Sequence, residues 1–262
     1  MEYLFDKWEN IKLRLRGKYI FIFFDYDGTL TPIVETPDKA ILSETARNLL
    51  LKMSRDRKIK LAFISGRSLK DIKNKMKLKN VVYSGNHGLE IEGPNIKFEP
   101  LVSPRYQMII RYIKEDLNKR ISSIKGAFIE DKGVSLSLHY RLVTRGKLSL
   151  LRNIFNGVVN PYLVRGKVSV KKGKMVLEVA PAYKWSKADA VMWLLKKYEF
   201  VLKRAEFIPI YIGDDLTDES AFKALKNKGL TICVGRTGLS EARYYLKDSS
   251  EVTEFLQRVL EI

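Results

Sequence analysis

The 262-residue chain has one cysteine, Cys233, and two histidines, His87 and His139. A single cysteine excludes an internal disulfide framework and a cysteine-built metal centre. Cys233 sits in the apolar run Leu230–Val234, where a thiol behaves as a small core residue. No hydrophobic run approaches the roughly 20 residues of a membrane-spanning helix. Met1–Arg16 mixes acids with bases and has no apolar stretch of the secretory kind. The expectation is a protein of the cytoplasm without membrane association. Internal repeats and low-complexity tracts are also missing.

Acids are in the minority, 30 against 48 basic residues, for a net charge of +18. Three readings fit this excess: a lysine-rich solvated surface of the kind thermophiles use, attraction of anionic substrates such as phosphate esters, or nucleic-acid binding. The basic residues are spread along the chain, with no zinc-finger spacing, RNP-like motif or continuous basic arm. No nucleic-acid partner is therefore expected. A hydrophobic share of 45% supports a sizeable core, and the length suits one large domain or two smaller ones sharing a site.

Along the chain, residues 3–15 have the spacing of an amphipathic helix, with Leu4, Trp8, Ile11 and Leu15 in phase. Tyr19–Phe24 is a continuous apolar run ended by Asp25, the pattern of a strand buried on both faces of a parallel sheet. Ser43 caps a helix bearing Ala46, Leu49, Leu50 and Met53. Ile59–Ile64 reads as a strand, Ser68 and Asp71 open a short helix, and Val81–Tyr83 is another strand. This β-α-β-α alternation predicts a doubly wound sheet.

Between 101 and 180 the rhythm changes to α-β-β-α-β-β. Helices are expected at 105–120 and 147–157, and strands at 127–130, 134–140, 161–171 and 174–180, with a turn at Lys132-Gly133. That order suggests an antiparallel sheet with helices on one face. The first rhythm resumes after 181, with a helix opened by Ser186 and Asp189, a strand at Phe207–Ile212, a helix at 217–227 and a strand at Leu230–Val234. The expected architecture is α/β: a parallel-sheet core from 1–100 and 181–262, interrupted by an inserted α+β domain at 101–180.

Four features carry chemistry. Asp25-Tyr26-Asp27-Gly28-Thr29 follows a buried strand, and in open α/β sheets ligands bind outside the carboxyl ends of strands. An Asp-Gly hairpin turn is the bland alternative, but the Thr31-Pro32-Ile33 that follows is a loop, not an alternating strand. Gly213-Asp214-Asp215-Leu216-Thr217-Asp218 again ends an apolar strand in acids. Acids also favour a helix N-terminus by themselves, which covers Asp218 better than Asp214 or Asp215. Together with Asp25 and Asp27 these acids make an oxygen-rich site of the kind Mg²⁺ prefers. Ser65 and Gly66 end a third strand and read either as a plain turn or as a phosphate contact. Lys187 stands just inside a helix N-terminus, an end already positive, where a bound anion would resolve the conflict.

In this order the four features resemble the haloacid dehalogenase superfamily of phosphatases. A closer resemblance is to the trehalose-6-phosphate phosphatases. It rests on Phe24–Ile33, Gly85-Asn86-His87-Gly88-Leu89-Glu90, Val176-Leu177-Glu178-Val179 with Pro181, Trp185-Ser186-Lys187 and Tyr211–Glu219. The resemblance implies that Asp25 is the nucleophile and a Mg²⁺ ligand. It makes Asp27 the acid and base, with its carbonyl on the metal, and gives the metal a carboxylate from Asp214. Asp215 or Asp218 would support the metal from behind its ligands, and Ser65, Gly66 and Lys187 would hold the phosphoryl group. In the inserted domain, which would act as a cap, Glu130, Lys132, Glu178 and Arg141 correspond to sugar-binding positions. His87 reads equally as a structural turn residue or a substrate contact. The implied reaction is hydrolysis of trehalose 6-phosphate, and a trehalose-6-phosphate synthase is the protein partner the resemblance brings with it.

Two positions depart from the family pattern: Ala180 stands where arginine usually precedes the proline, and Ala188 where glycine usually follows the lysine. Phosphatases of sucrose phosphate or mannosylglycerate phosphate and phosphomannomutase-like enzymes are the alternatives within the same core type. The mutases share the first motif but differ from Gly-Asp-Asp-Leu-Thr-Asp in the fourth. A non-catalytic basic protein that binds nucleic acid is the alternative from another class.

Overall fold

The computed structural model describes residues 1–99, 103–173, 175–182, 185–201, 207–235 and 239–262. It divides into two compact units, Met1–Glu99 with Trp185–Ile262, and Pro100–Lys184. The sequence boundary at 100 and 101 lies outside the described residues, as does residue 174.

The first unit opens with β1 (Glu2–Tyr3), α1 (Trp8–Leu15), β2 (Tyr19–Phe24), α2 (Glu44–Met53), β3 (Ile59–Ile64), α3 (Leu69–Met76), β4 (Val82–Gly85), β5 (Glu90–Gly93) and β6 (Ile96–Phe98). The second unit supplies α4 (Pro104–Ile121), β7 (Phe128–Asp131), β8 (Leu136–His139), α5 (Leu148–Leu163), β9 (Val168–Gly173) and β10 (Val176–Pro181). The first then resumes with α6 (Lys187–Val201), β11 (Phe207–Gly213), α7 (Glu219–Leu225), β12 (Leu230–Val234), β13 (Tyr244–Leu246) and α8 (Ser249–Leu260).

The large sheet has the order β1-β13-β12-β11-β2-β3-β4-β5-β6. It is parallel from β1 to β4, and β5 and β6 extend it antiparallel. Strand β2 shows why a continuous apolar run is needed at the centre. Ile20, Ile22 and Phe24 join the core under α1, α2, α3 and α8. Phe21 and Phe23, pointing the other way by the two-residue period, join the core under α6 and α7. The fold is therefore doubly wound. The chain leaves β2 for β3 on one side and later returns as β11 on the other, so the strand order switches direction beside β2. In open α/β sheets, ligands bind at such a switch point, outside the carboxyl ends of the strands.

The second unit is a four-stranded antiparallel sheet, β7-β8-β10-β9. Helices α4 and α5 pack on it around Ile113, Leu117, Phe155 and Val159.

Three local expectations are corrected. The helix placed at 147–157 runs to Leu163 and takes in residues 161–163, expected to begin a strand. Pro161 sits in the last turn, and the chain leaves the helix through Val164 N–H to Asn160 C=O (3.0 Å) and Lys167 N–H to Tyr162 C=O (3.0 Å). The helix placed at 3–15 starts at Trp8 after a 3₁₀ turn, because Glu2–Tyr3 pair with Tyr244–Tyr245 as an edge strand. The capping box expected at Ser68 and Asp71 is half formed. Ser68 Oγ accepts from Asp71 N–H (3.2 Å), but the Asp71 carboxylate turns to Arg67 instead of back to the Ser68 backbone. No helix among the described residues is long and apolar enough to cross a membrane.

Candidate active site

Each acid-bearing turn is fixed by its own backbone before any side chain converges. After β2, Asp25 N–H bonds Ile212 C=O (2.9 Å), while Leu30 N–H and Thr31 N–H both reach Tyr26 C=O. Gly28, at φ +85°, is required there on two counts: an L side chain resists that conformation, and a Cβ would overlap the Asp214 carboxylate. Gly213 is needed for the same steric reason, since a Cβ would run into the Asp218 carboxylate.

The centre of the cluster is Lys187, 2% exposed, at the start of α6. Its Nζ lies 2.7 Å from Asp218 Oδ1 and 3.2 Å from Asp25 Oδ1. The anion that its position calls for is thus provided in part by the protein's own acids. Ser186 and Asp189 complete a reciprocal cap beside it: Asp189 Oδ2 accepts from Ser186 N–H (2.8 Å) and from Ser186 Oγ–H (2.6 Å). Burial pushes the Lys187 ammonium down, but Asp218 and Asp25 outweigh it and the group is held well above its ordinary value.

The acids divide by environment. Burial pushes the Asp25 carboxyl well up; Lys187 opposes this, and Asp218, Asp214 and Asp215 add to it. Burial also raises Asp218 against the pull of Lys187. At Asp215 burial again pushes up, but Lys187 and hydrogen bonds from Thr217 prevail and bring the group to about 2. The Asp215 Oδ1 atom accepts from Thr217 Oγ1–H (2.6 Å) and Thr217 N–H (2.9 Å).

Carboxylate oxygens of Asp25, Asp214 and Asp218 lie within 4.8 Å of one another. Asp218 nevertheless spends both oxygens on the protein. Oδ1 accepts from Lys187 Nζ and from the buried Tyr211 hydroxyl (2.7 Å each), and Oδ2 accepts from Asp214 N–H and Asp215 N–H (3.1 Å each). That saturation makes Asp218 a buttress for the loop, while Asp214 Oδ1 accepts from Thr29 Oγ1–H (3.4 Å). A hard divalent ion fits the carboxylate oxygens of Asp25, Asp214 and Asp218, and it would offset the repulsion among them that adds to the effect of burial on Asp25.

At the end of β3, Ser65 Oγ accepts from Arg67 N–H (3.1 Å) and is buried. His87 N–H bonds Ser65 C=O (2.9 Å) and Asn86 N–H bonds Arg67 C=O (2.7 Å), which ties the 85–88 turn to this strand end. The His87 ring lies over Gly66, where a Cβ would come within 2.6 Å of Cε1. Asp27 is gripped by Arg67, with Nε to Oδ2 at 2.7 Å and Nη2 to Oδ1 at 2.6 Å.

The sequence-predicted residues thus fall into two clusters. Asp25, Asp27, Ser65, Gly66, His87, Lys187, Asp214, Asp215 and Asp218 belong to the first unit. In the second, Lys132 Nζ stands 3.4 Å from Glu178 Oε2, both side chains under 10% exposed (7% and 6%), and Glu130 Oε2 is 2.7 Å from His139 Nε2. Arg141 is exposed in the turn after β8. Sequence reasoning did not single out Arg67 or Tyr211. The signal for Arg67 was its place directly after Ser65-Gly66; Tyr211 was a hydroxyl hidden in an otherwise apolar strand.

The family profile described as Trehalose-phosphatase matches residues 23–250. "Probable trehalose-phosphate phosphatase 3" of Oryza sativa subsp. japonica is 33% identical over 274 residues, 97% of this chain and 73% of that one. "Trehalose-phosphate phosphatase B" of Arabidopsis thaliana is 33% identical over 270 residues, 98% of this chain and 70% of that one. Among solved structures, the C-terminal domain of the trehalose-6-phosphate phosphatase of C. albicans aligns with a TM-score of 0.80 at 25% identity, over 97% of this chain and 96% of that one.

Proposed function

The chain belongs to the trehalose-phosphatase family, and from that premise we propose that it hydrolyses trehalose 6-phosphate to trehalose and phosphate through an aspartyl-phosphate. The observation that carries the chemistry is Asp25, buried at the switch point, with Lys187 Nζ 3.2 Å from its Oδ1.

In the first step an oxygen of Asp25 forms a bond to phosphorus and the bond from phosphorus to the sugar oxygen breaks. Asp27 gives its proton to the leaving oxygen. In the second step water attacks phosphorus and passes a proton to Asp27, and the electron pair of the breaking acyl-phosphate bond returns to Asp25. Lys187, and Ser65 with the Gly66 backbone, hold the phosphoryl oxygens. Mg²⁺, held by Asp25, Asp214 and the Asp27 carbonyl, would supply charge that lets a dianionic ester approach an aspartate.

The second unit supplies sugar recognition. The buried Lys132–Glu178 pair and Glu130 offer ammonium donors and carboxylate acceptors, the chemistry that distinguishes one polyol from another by its hydroxyls.

The test is phosphate release from trehalose 6-phosphate with and without Mg²⁺, beside glucose 6-phosphate, sucrose 6-phosphate and an aryl phosphate. The expected result is Mg²⁺-dependent turnover that favours trehalose 6-phosphate and disappears in Asp25→Asn. Turnover of the aryl ester alone would retain the mechanism and reject the substrate.

A further inference from the structure

Arg67 is buried beside the site, 5% exposed, with all three guanidinium nitrogens donating. Nε and Nη2 fork onto Asp27, Nη1 reaches Asp71 Oδ2 (2.6 Å), and Nη2 also reaches Pro37 C=O (2.7 Å). The guanidinium carbon stands 5.2 Å from the centre of the Tyr26 ring. The backbone of Arg67 is held as well, its N–H by Ser65 Oγ and its C=O by Asn86 N–H. The Asp27 side chain, by contrast, is 43% exposed. A carboxylate on a short stem rotates broadly about its last torsion, and an exposed one gains little from packing. A two-point fork from a fixed guanidinium removes that freedom, since it sets both the position and the plane of the carboxylate.

An ion pair between two exposed side chains contributes about 0–1 kcal/mol to stability. Here the arginine is desolvated and held at every nitrogen while its partner faces solvent, so the arginine is the fixed member of the pair.

We propose that Arg67 is the positioning residue for Asp27, aiming its carboxylate at the leaving oxygen and tying that aim to the Ser65 turn. The proposal rests on the functional reading above. Its distinguishing consequence concerns the leaving group. Expulsion of a sugar alkoxide needs a proton delivered in the right direction, whereas expulsion of a nitrophenolate does not. Loss of Arg67 should therefore slow the sugar ester and spare the first step of an aryl ester.

The experiment compares wild type, Arg67→Lys, Arg67→Gln and Asp71→Asn on trehalose 6-phosphate at steady state. The same proteins are followed on p-nitrophenyl phosphate in the first turnover, where nitrophenolate release reports phosphorylation of Asp25. Both Arg67 variants are expected to lose about 100-fold in kcat on the sugar ester, the low end of what positioned acid–base catalysis contributes. KM should stay within about 3-fold, and so should the aryl first turnover. Lysine keeps the charge but not the fork, so its failure to rescue separates geometry from charge. Asp71→Asn touches Arg67 and not Asp27, and should show the same selectivity on a scale of about 3- to 10-fold; it decides the matter if the Arg67 variants do not fold by near-UV circular dichroism. Equal losses on both esters, full rescue by lysine, or an Asp71→Asn protein with the wild-type ratio of the two rates would each overturn the proposal. Wild-type enzyme inactive on both esters would instead overturn the phosphatase reading beneath it.

Discussion

Replacing Lys187 by methionine removes the one cation that stands between Asp25 and Asp218 among the described residues. The side chain is buried and comparable in length, so the change is chiefly electrostatic. What remains is a set of buried carboxylates whose oxygens lie within 4.8 Å of one another. Breaking a buried pair by deleting one partner costs about 3–5 kcal/mol, because the other charge is left uncompensated. At about 2–4 °C per kcal/mol for chains of this size, the melting temperature should fall by roughly 6–20 °C in EDTA.

The pH dependence carries a sign. Asp25 is already raised in the wild type, and losing Lys187 removes the main influence that opposes the shift. A carboxyl raised above its unfolded value binds more protons in the folded state, so stability falls as pH rises through its titration. The deficit of Lys187→Met should therefore be smallest in mild acid and grow towards neutral and alkaline pH. Urea unfolding followed by the fluorescence of Trp8, Trp185 and Trp193, all in the first unit, reads it directly. The double variant Lys187→Met/Asp218→Asn removes a charge of each sign and should recover at least half of the loss. A deficit below about 1 kcal/mol at pH 8, or a double variant no more stable than the single, would refute the argument.

Gly28→Ala should lower turnover about 100-fold while the protein stays folded, because the new Cβ displaces the Asp214 carboxylate and small misplacements at a reacting centre cost on that order; wild-type turnover at any Mg²⁺ concentration would contradict this. Tyr26 and Tyr83 are pushed up to about 12, chiefly by burial. The fold favours their neutral form, so the stability they contribute is complete below about pH 10 and is lost as pH climbs from there towards 12. Tyr83→Phe should flatten the decline of the urea midpoint across that window, and an unchanged slope would count against the assignment. Asp248 caps α8 through Ser250 N–H (2.8 Å) and Glu251 N–H (3.2 Å). Asp248→Ala should cost about 1 kcal/mol in the same urea assay, with no change in KM.

The sequence by itself determined the layers and the chemistry-bearing turns. Tyr19–Phe24 had to be a central strand because it is apolar at every position, and only a strand covered on both faces buries both alternating sets, Ile20, Ile22 and Phe24 against Phe21 and Phe23. The acids at 25, 27, 214, 215 and 218 were legible for the converse reason: charge placed directly after a buried strand needs a counter-charge. Helix signals were legible where a cap was local, as at Ser43 and Ser186. Local signals misled where a distant partner decided. Tyr3 entered a strand because Tyr245 lies at the other end of the chain, and Asp71 left its capping box for Arg67. Only tertiary structure could separate the acids into roles, since Asp214, Asp215 and Asp218 look alike in one dimension. Four donors, two of them from Lys187 and Tyr211, saturate Asp218, whereas Asp215 turns to Thr217 and Asp214 to Thr29. The grip of Arg67 on Asp27 spans 40 residues of chain, and no spacing rule reaches that far. It exists because β2 and β3 are neighbours in the sheet, which brings the turns at their carboxyl ends together.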